Sequence, residues 1–323
     1  MKARAIVVAT HGHCFDGMAS AALFTHLMRG LHPGTPLTLR YRSCGYGPGM
    51  GAVPEGVFDG DDNAILDFRY TPSKRLTWYF DHHITAFSSP AERDTALAGP
   101  SAPHVFYEPT YGSCTKLIAD VAHDRFAVSS DSLTELIGWA DTIDSARFTS
   151  AEAAIRRDEP ILQLASVVEH HGDTPFLARM VPRLLDQPLS EVARAEDIQA
   201  EWRPLAAAHE AFVERVRAGS KLLGRVAFVD LTAAPLEAAG KFVTYALYPG
   251  CVYSVMISRG KQQLKVSVGY NPWCGTPREH DIAGICQRHG GDGHPAVNAF
   301  ALPVSQLDVA RGAADAIVRE LNG

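Results

Sequence analysis

The hydrophobic pattern of the first third of the chain is a series of short apolar runs, each ending abruptly in polar residues. Ala5-Ile6-Val7-Val8-Ala9 is a β-branched run of the kind a buried strand presents. A polar turn, Thr10 to Gly17, follows at once, and Met18 to Met28 then carries apolar residues at helical spacing. The first unit therefore reads strand, polar turn, helix. Leu37 to Arg42 is a second strand, and the Gly/Pro-rich stretch from Cys44 to Gly56 is loop. Ala64-Ile65-Leu66 is a third strand ending in Asp67, and Trp78-Tyr79-Phe80 a fourth, ending in Asp81-His82-His83.

Helical patterns dominate the middle. Ser113 is placed to cap a helix running to about Ala122. Asp131 to Trp139 is another helix, ending in Ala140-Asp141-Thr142-Ile143-Asp144, and more helix extends from about Ala151 to Leu185. Glu191 to Arg217 is long, charged and alanine-rich, suiting a connector. Strands follow over Val226–Asp230, Phe242–Leu247, Val252–Ser258 and Leu264–Val268, where Asn271-Pro272-Trp273 breaks the pattern. Asp281 to His289 is helical, Gly290 to Pro295 is a glycine-rich loop, Phe300–Val304 is a strand, and a helix runs from about Gln306 to Leu321. The expected fold is α/β: a parallel-sheet N-terminal domain over 1–190, a helical connector over 191–223 and a smaller α+β C-terminal domain over 224–323. A chain of 323 residues suits two domains, since domains run about 100–200 residues.

Composition narrows the function. The formal net charge of -6 argues against a general duplex-DNA binder, which is usually basic. It leaves room for a small anionic substrate held by metals and a few local cations. Six scattered cysteines without a CxxC pair fit a reducing compartment, and the expected location is the cytoplasm. The apolar run at Ala5–Ala9 is too short for a signal segment, and no stretch approaches a membrane span.

Three strand ends deliver His11, Cys14 and Asp16, then Asp67, then Asp81, His82 and His83. In an open α/β sheet, ligands bind at the carboxyl ends of strands. Carboxylates with imidazoles suit divalent ions, and two ions about 3.5–4 Å apart clamp the attacking and leaving oxygens of a displacement at phosphorus. Asp67, on a strand between the other two ends, is the best-placed shared ligand, and His83 could bind or protonate a phosphoryl oxygen. Asp141, at the polar end of its helix, joins the same set; alone it would read as an ordinary helix end. In the C-terminal domain, Gly290, Gly291 and Gly293 would let backbone N–H groups approach an anion, with His294 adding a charge-assisted contact. Alone such a loop is more often a tight turn; lying in the other domain from the metals, it suits a substrate gripped across an interdomain cleft. Glu169-His170-His171 reads as a solvated helix face, His289 as a helix-end residue, and Cys114 and Cys286 as small core residues.

These motifs resemble the DHH phosphoesterase superfamily, in particular the group with a C-terminal DHH-associated domain. Asp81-His82-His83 is the name-giving triplet. His11-Gly12-His13-Cys14-Phe15-Asp16-Gly17 resembles the first motif, Asp67 the second, Asp141 the fourth, and Gly290 to Phe300 the glycine-rich loop. The resemblance implies a manganese-preferring two-metal phosphoesterase. One ion would take His11, Cys14 and Asp67; the other would take Asp16, Asp67, His82 and Asp141. Asp81 and His83 would be catalytic, with His83 and His294 on the phosphate. Two departures stand out. Cys14 stands where most members have an acid: either its soft thiolate ligates and biases that position toward zinc or iron, or it is a bystander and the first site is weak. No Arg occupies the stretch from Ser267 to Trp273, where Asn271 would contact substrate and Tyr270 or Trp273 would stack on a base, worth about 1–3 kcal/mol per base. The expectation is two-metal activation of water to hydrolyse a dinucleotide or short single-stranded oligonucleotide. Polyphosphate or pyrophosphate hydrolysis and non-catalytic nucleotide binding are the alternatives. No membrane partner is expected, and a homodimer is compatible with the sequence.

Overall fold

The computed structural model describes residues 3–45, 51–99, 104–236, 240, 242–294 and 296–323, with backbone alone at 292–294. The chain forms two compact units, Met1–Arg147 with Arg157–Trp202, and Phe148–Arg156 with Arg203–Gly323.

The first unit contains β1 (Arg4–His11), α1 (Phe15–Leu31), β2 (Leu37–Cys44), β3 (Asp62–Leu66), β4 (Trp78–Asp81), α2 (Pro90–Ala98), β5 (Val105–Tyr107), α3 (Cys114–Phe126) and α4 (Thr134–Asp144). Its five strands are all parallel in the order β2-β1-β3-β4-β5. Ile6 to Ala9 and all of β3 and β4 are buried, as continuous apolar strands covered on both faces must be. α1 begins hard against the end of β1. A Cβ on Gly17 would lie 2.0 Å from the carbonyl oxygen of His11, so only glycine allows that approach. Thr10 fastens the turn by donating from Oγ1 to the Gly17 carbonyl at 2.7 Å. The expected helix end at 140–144 is the last part of α4, so the acidic residues there are helical.

The strand order reverses between β1 and β3, and a doubly wound sheet binds its ligand outside the carboxyl ends at that reversal. Register brings the ends together: Thr10 pairs with Leu66 and Leu66 with Phe80. The next residues along each strand are His11, Asp67 and Asp81. The unit is completed by α6 (Pro160–His171), α7 (Thr174–Asp186), α8 (Leu189–Arg194) and the first part of α9 (Glu196–Gly219). α5 (Ala151–Ile155) belongs to the second unit. The helical stretch expected from Glu191 is interrupted at Ala195.

The second unit holds β6 (Ser220–Leu223), β7 (Val226–Leu231), α10 (Val243–Leu247), β8 (Tyr253–Arg259), β9 (Gln263–Tyr270), α11 (Ile282–Gln287), β10 (Asp292–His294), β11 (Val297–Pro303) and α12 (Leu307–Asn322). The strands order as β10-β11-β9-β8-β7-β6, antiparallel except for β7 with β8. Val255, Ile257, Val266, Phe300, Ile317 and Leu321 share its main core. Two expectations change here. Phe242–Leu247 is the helical turn α10, entered through a left-handed Phe242 with φ 70°; a short apolar run has no periodicity to separate strand from helix. The glycine-rich loop is largely a hairpin, with β10 paired to β11. Among the described residues no helix is long and apolar enough to cross a membrane.

Candidate metal centre

The centre lies at the carboxyl ends of β1, β3 and β4. Asp67, the first residue past β3, has no exposed surface and holds φ 53°. A non-glycine residue there costs on the order of 1–3 kcal/mol and persists only where its surroundings demand it. His11 Nδ1 stands 3.6 Å from one Asp67 oxygen, and His82 Nε2 stands 3.6 Å from the other. His83 Nδ1 lies 3.6 Å from that second oxygen. These separations are too long for hydrogen bonds. Both Asp67 oxygens and His82 Nε2 are buried without a hydrogen-bond partner among the described residues. Buried polar atoms left in that state are costly, and a cation among them removes the cost.

Two further groupings surround Asp67. His11, Cys14 and Asp67 bring one ligand atom each within 4.8 Å of one another, and so do Asp16, His82 and Asp144. His82 Nε2 is 3.2 Å from Asp144 Oδ2 and 3.8 Å from Asp16 Oδ2. Asp16 sits in the first turn of α1, and its two oxygens accept from the backbone N–H of Cys114 (2.8 Å) and Thr115 (3.0 Å) at the start of α3. His82 donates from Nδ1 to the Tyr111 carbonyl at 3.0 Å, which aims Nε2 into the centre; an outer partner of this kind is what a metal-binding histidine requires.

Buried carboxylates and imidazoles set one another's charge in this centre. Burial and the neighbouring carboxylates of Asp67 and Asp144 push Asp16 well above the usual carboxylate range. Burial works the same way on Asp67, but His11 and His82 beside it, with His83 adding to them, hold it well below that range. Burial resists charge on His82, yet Asp144 and Asp67 raise it to about 11. His83 is likewise opposed by burial and raised to about 9 by Asp81 and Asp67. Burial, then Asp67, Asp144 and Asp16, push the Cys14 thiol up.

The sequence resemblance meets a structural one. No protein-family model and no curated protein matches this chain in sequence. Among solved structures, the pGpG-specific phosphodiesterase PggH of Vibrio cholerae superposes with a TM-score of 0.65 at 15% identity, covering 99% of both chains. The DHH domain of a member of the S1p family of ribosomal proteins gives 0.58 at 12% identity, over 99% of this chain and 88% of that one. RecJ of Thermus thermophilus, in complex with Mn2+, gives 0.55 at 12% identity, over 98% of this chain and 52% of RecJ. This chain has the DHH fold.

Within that fold the anticipated residues divide. His11, Cys14, Asp16, Asp67 and His82 come together. Asp141 does not join them: its carboxylate pairs with Arg147 Nη2 at 2.9 Å and accepts from Ser113 Oγ at 3.4 Å. Asp144, one turn further along α4, faces His82 in its place. Residues three apart share a helix face, so the sequence could not choose between these acids. Asp81 lies close enough to join a grouping with Asp67, His82 and His83, but its Oδ1 accepts from the backbone N–H of His82 and His83 and from His83 Nδ1. The residues anticipated in the second unit also depart from expectation. Asn271 is fully buried, with Nδ2 donating to the carbonyls of Pro249 and Cys251 and Oδ1 accepting from Trp273 N–H, so it has no group to offer a substrate. Trp273 Nε1 donates to the Phe148 carbonyl and its ring packs on Phe242, and Tyr270 donates its hydroxyl to the Thr276 carbonyl. The N–H groups of Gly290 and Gly291 bond to the carbonyls of Gln287 and Cys286, closing α11 instead of facing an anion; Gly290 turns the chain there with φ +78°. Gly293 and His294 lie in β10, and their side-chain surroundings are outside the described residues.

Proposed function

We propose that this protein is a two-metal phosphoester hydrolase acting on dinucleotides or short single-stranded oligonucleotides. The observation that carries the reading is Asp67: a fully buried carboxylate whose oxygens have no hydrogen-bond partner among the described residues, grouped with His11 and Cys14 on one side and 3.6 Å on the other from His82, which belongs to the grouping with Asp16 and Asp144. In this reading His11, Cys14 and Asp67 hold one ion, and Asp16, Asp67, His82 and Asp144 the other. Manganese is the proposed metal, with zinc or ferrous iron the alternatives at the first position, where the Cys14 thiolate is soft. When bound, such ions activate water and stabilise charge on phosphoryl oxygens.

The remaining work falls to the chain. His82 is aimed by Tyr111, and Asp16 is held by the N-terminus of α3. His83 gives Nδ1 to Asp81 at 2.8 Å, which leaves Nε2 to contact or protonate a phosphoryl oxygen. Asp81 acts as a positioning residue. The small-nucleotide substrate is supported by the DHH-fold relative named as a pGpG-specific phosphodiesterase. Six free cysteines support a reducing, cytoplasmic setting.

The test is product release with manganese from a linear dinucleotide, a short RNA, a cyclic dinucleotide and polyphosphate, side by side. Turnover of a nucleotide, lost at least a hundred-fold in Asp67→Ala, is the expected result. Turnover of polyphosphate alone would move the substrate class. No turnover with manganese, zinc or ferrous iron would make this a binding protein.

A further inference from the structure

On β4 the side chains alternate, and Tyr79 shares a face with Asp81, whereas Trp78 and Phe80 point to the opposite one. Trp78 and Phe80 pack against Phe24. The Tyr79 ring is fully buried and wedged edge-on against Tyr70, with ring centroids 5.1 Å apart, and against Phe87 at 5.7 Å. Its hydroxyl donates to Asp81 Oδ2 at 2.9 Å. The other Asp81 oxygen accepts three times, from His82 N–H at 2.8 Å, His83 N–H at 3.0 Å and His83 Nδ1 at 2.8 Å. Asp81 has no exposed surface, so Oδ2 has no water to turn to.

We propose that Tyr79 is a positioning residue for the reaction, acting through Asp81 to hold the His83 ring with Nδ1 inward and Nε2 presented to substrate. The role rests on the proposed hydrolase reading. Two anchors on opposite carboxylate oxygens prevent Asp81 from rotating about its Cβ–Cγ bond. The two backbone donors and His83 Nδ1 all converge on Oδ1, so any rotation would break three bonds to the segment that carries His82 and His83. Removing the hydroxyl leaves one buried carboxylate oxygen without a donor, the costly case for a charged group. A rotated Asp81 releases the His83 ring, and a reacting group misplaced by about 1 Å can cost on the order of a hundred-fold in rate. Tyr79 touches no reacting atom, and the aromatic wedge that surrounds it would tolerate phenylalanine without loss of packing.

The experiment compares wild type and Tyr79→Phe on the full chain in two arms. In the first, the side-chain nitrogens of His83 are followed by 15N-edited NMR with magnesium, a diamagnetic ion. The expected result is that the Nδ1–H signal, slow to exchange in wild type, shifts and exchanges at least ten-fold faster in the variant. In the second, manganese-supported hydrolysis of bis(p-nitrophenyl) phosphate is expected to lose about ten-fold in kcat with KM within two-fold. In an Asp81→Ala background the same Tyr79→Phe change should have less than two-fold effect, because removing the carboxylate cuts the path between Tyr79 and His83. An unchanged His83 signal, an unchanged kcat, or a full effect persisting in the Asp81→Ala background would each overturn the proposal. Absence of hydrolysis by wild type would count against the hydrolase reading and leave the NMR arm to decide whether Tyr79 holds His83.

Discussion

At the scale of single residues, the choice between Asp141 and Asp144 is the sharpest consequence of the geometry. Arg147 already neutralises Asp141, whereas Asp144 adds a carboxylate to the face of His82 that lies in the centre. Asp144→Asn is therefore expected to remove about one equivalent of tightly bound manganese. Asp141→Asn should keep both equivalents and cost only stability; the Asp141–Arg147 pair is largely exposed on the arginine side, and such pairs are worth about 0–1 kcal/mol. Metal analysis after gel filtration, with urea denaturation alongside, separates the two. Equal metal loss in both variants would remove the distinction. The same scale explains why the Cys14 thiol is pushed up: burial comes first, then the neighbouring Asp67, Asp144 and Asp16, with the Gly17 backbone N–H acting the other way.

Among the elements, α3 contributes more than packing. Ser113 caps it by accepting from Lys116 N–H at 3.1 Å, and the first two N–H groups of the helix go to Asp16. The positive end of the helix dipole faces Asp16 and opposes the rise that burial and the neighbouring carboxylates impose on it. Replacing Ser113 with alanine should cost about 0.5–2 kcal/mol in chemical denaturation, the usual range for a lost N-cap. Because the cap orders the donors that hold Asp16, manganese affinity measured by calorimetry should weaken as well. A change in stability with no change in affinity would mean that α3 holds its N-terminus without Ser113. The turn after α6 plays a comparable part for the first ligand grouping. The Gly172 carbonyl accepts from His13 N–H at 3.0 Å and from Ser43 Oγ at 3.0 Å, which ties down the loop between His11 and Cys14. The histidines beside it are the solvated helix face that their spacing suggests, since His170 and His171 are exposed.

For the whole molecule, the charge pattern of the metal-free centre links folding to pH and metal. His82 and His83 ordinarily titrate near 6.5 and are raised to about 11 and about 9. A group whose pKa is raised by folding contributes stability that is complete below its ordinary value and is lost as pH climbs toward the raised one. Asp16, also raised, acts in the same direction. Asp67, lowered, contributes stability lost only in acid, below the ordinary carboxylate range. The metal-free protein should therefore melt at progressively lower temperature between pH 7 and pH 9. Saturating magnesium, which supplies the positive charge in place of those protons, should flatten that decline, so the gap in Tm between loaded and chelated protein widens with pH. Scanning calorimetry in EDTA and in magnesium checks this. A gap that narrows as pH rises would mean that the histidines do not give up protons to a cation.

What the sequence by itself determined is the set of strand ends. Short apolar runs break at His11, Asp67 and Asp81 because a buried parallel strand must be apolar and its carboxyl end is where polar side chains can surface, so both the α/β class and most of the centre are readable from local pattern. The Ser113 cap is local in the same way, since it depends on residues within one turn. Tertiary structure decided everything that depends on direction. Which of two acids on one helix face meets His82, whether Asn271 and Trp273 look toward substrate or into their own unit, and where the N–H groups of Gly290 and Gly291 go are set by packing partners that local pattern does not reveal. Phe242–Leu247 turned helical for a related reason: a short apolar run satisfies strand and helix equally, and the surroundings choose. Tyr79 belongs to both accounts. Its period-two spacing from Asp81 is written in the sequence, but only burial, which removes water from Asp81 Oδ2, makes that hydroxyl matter.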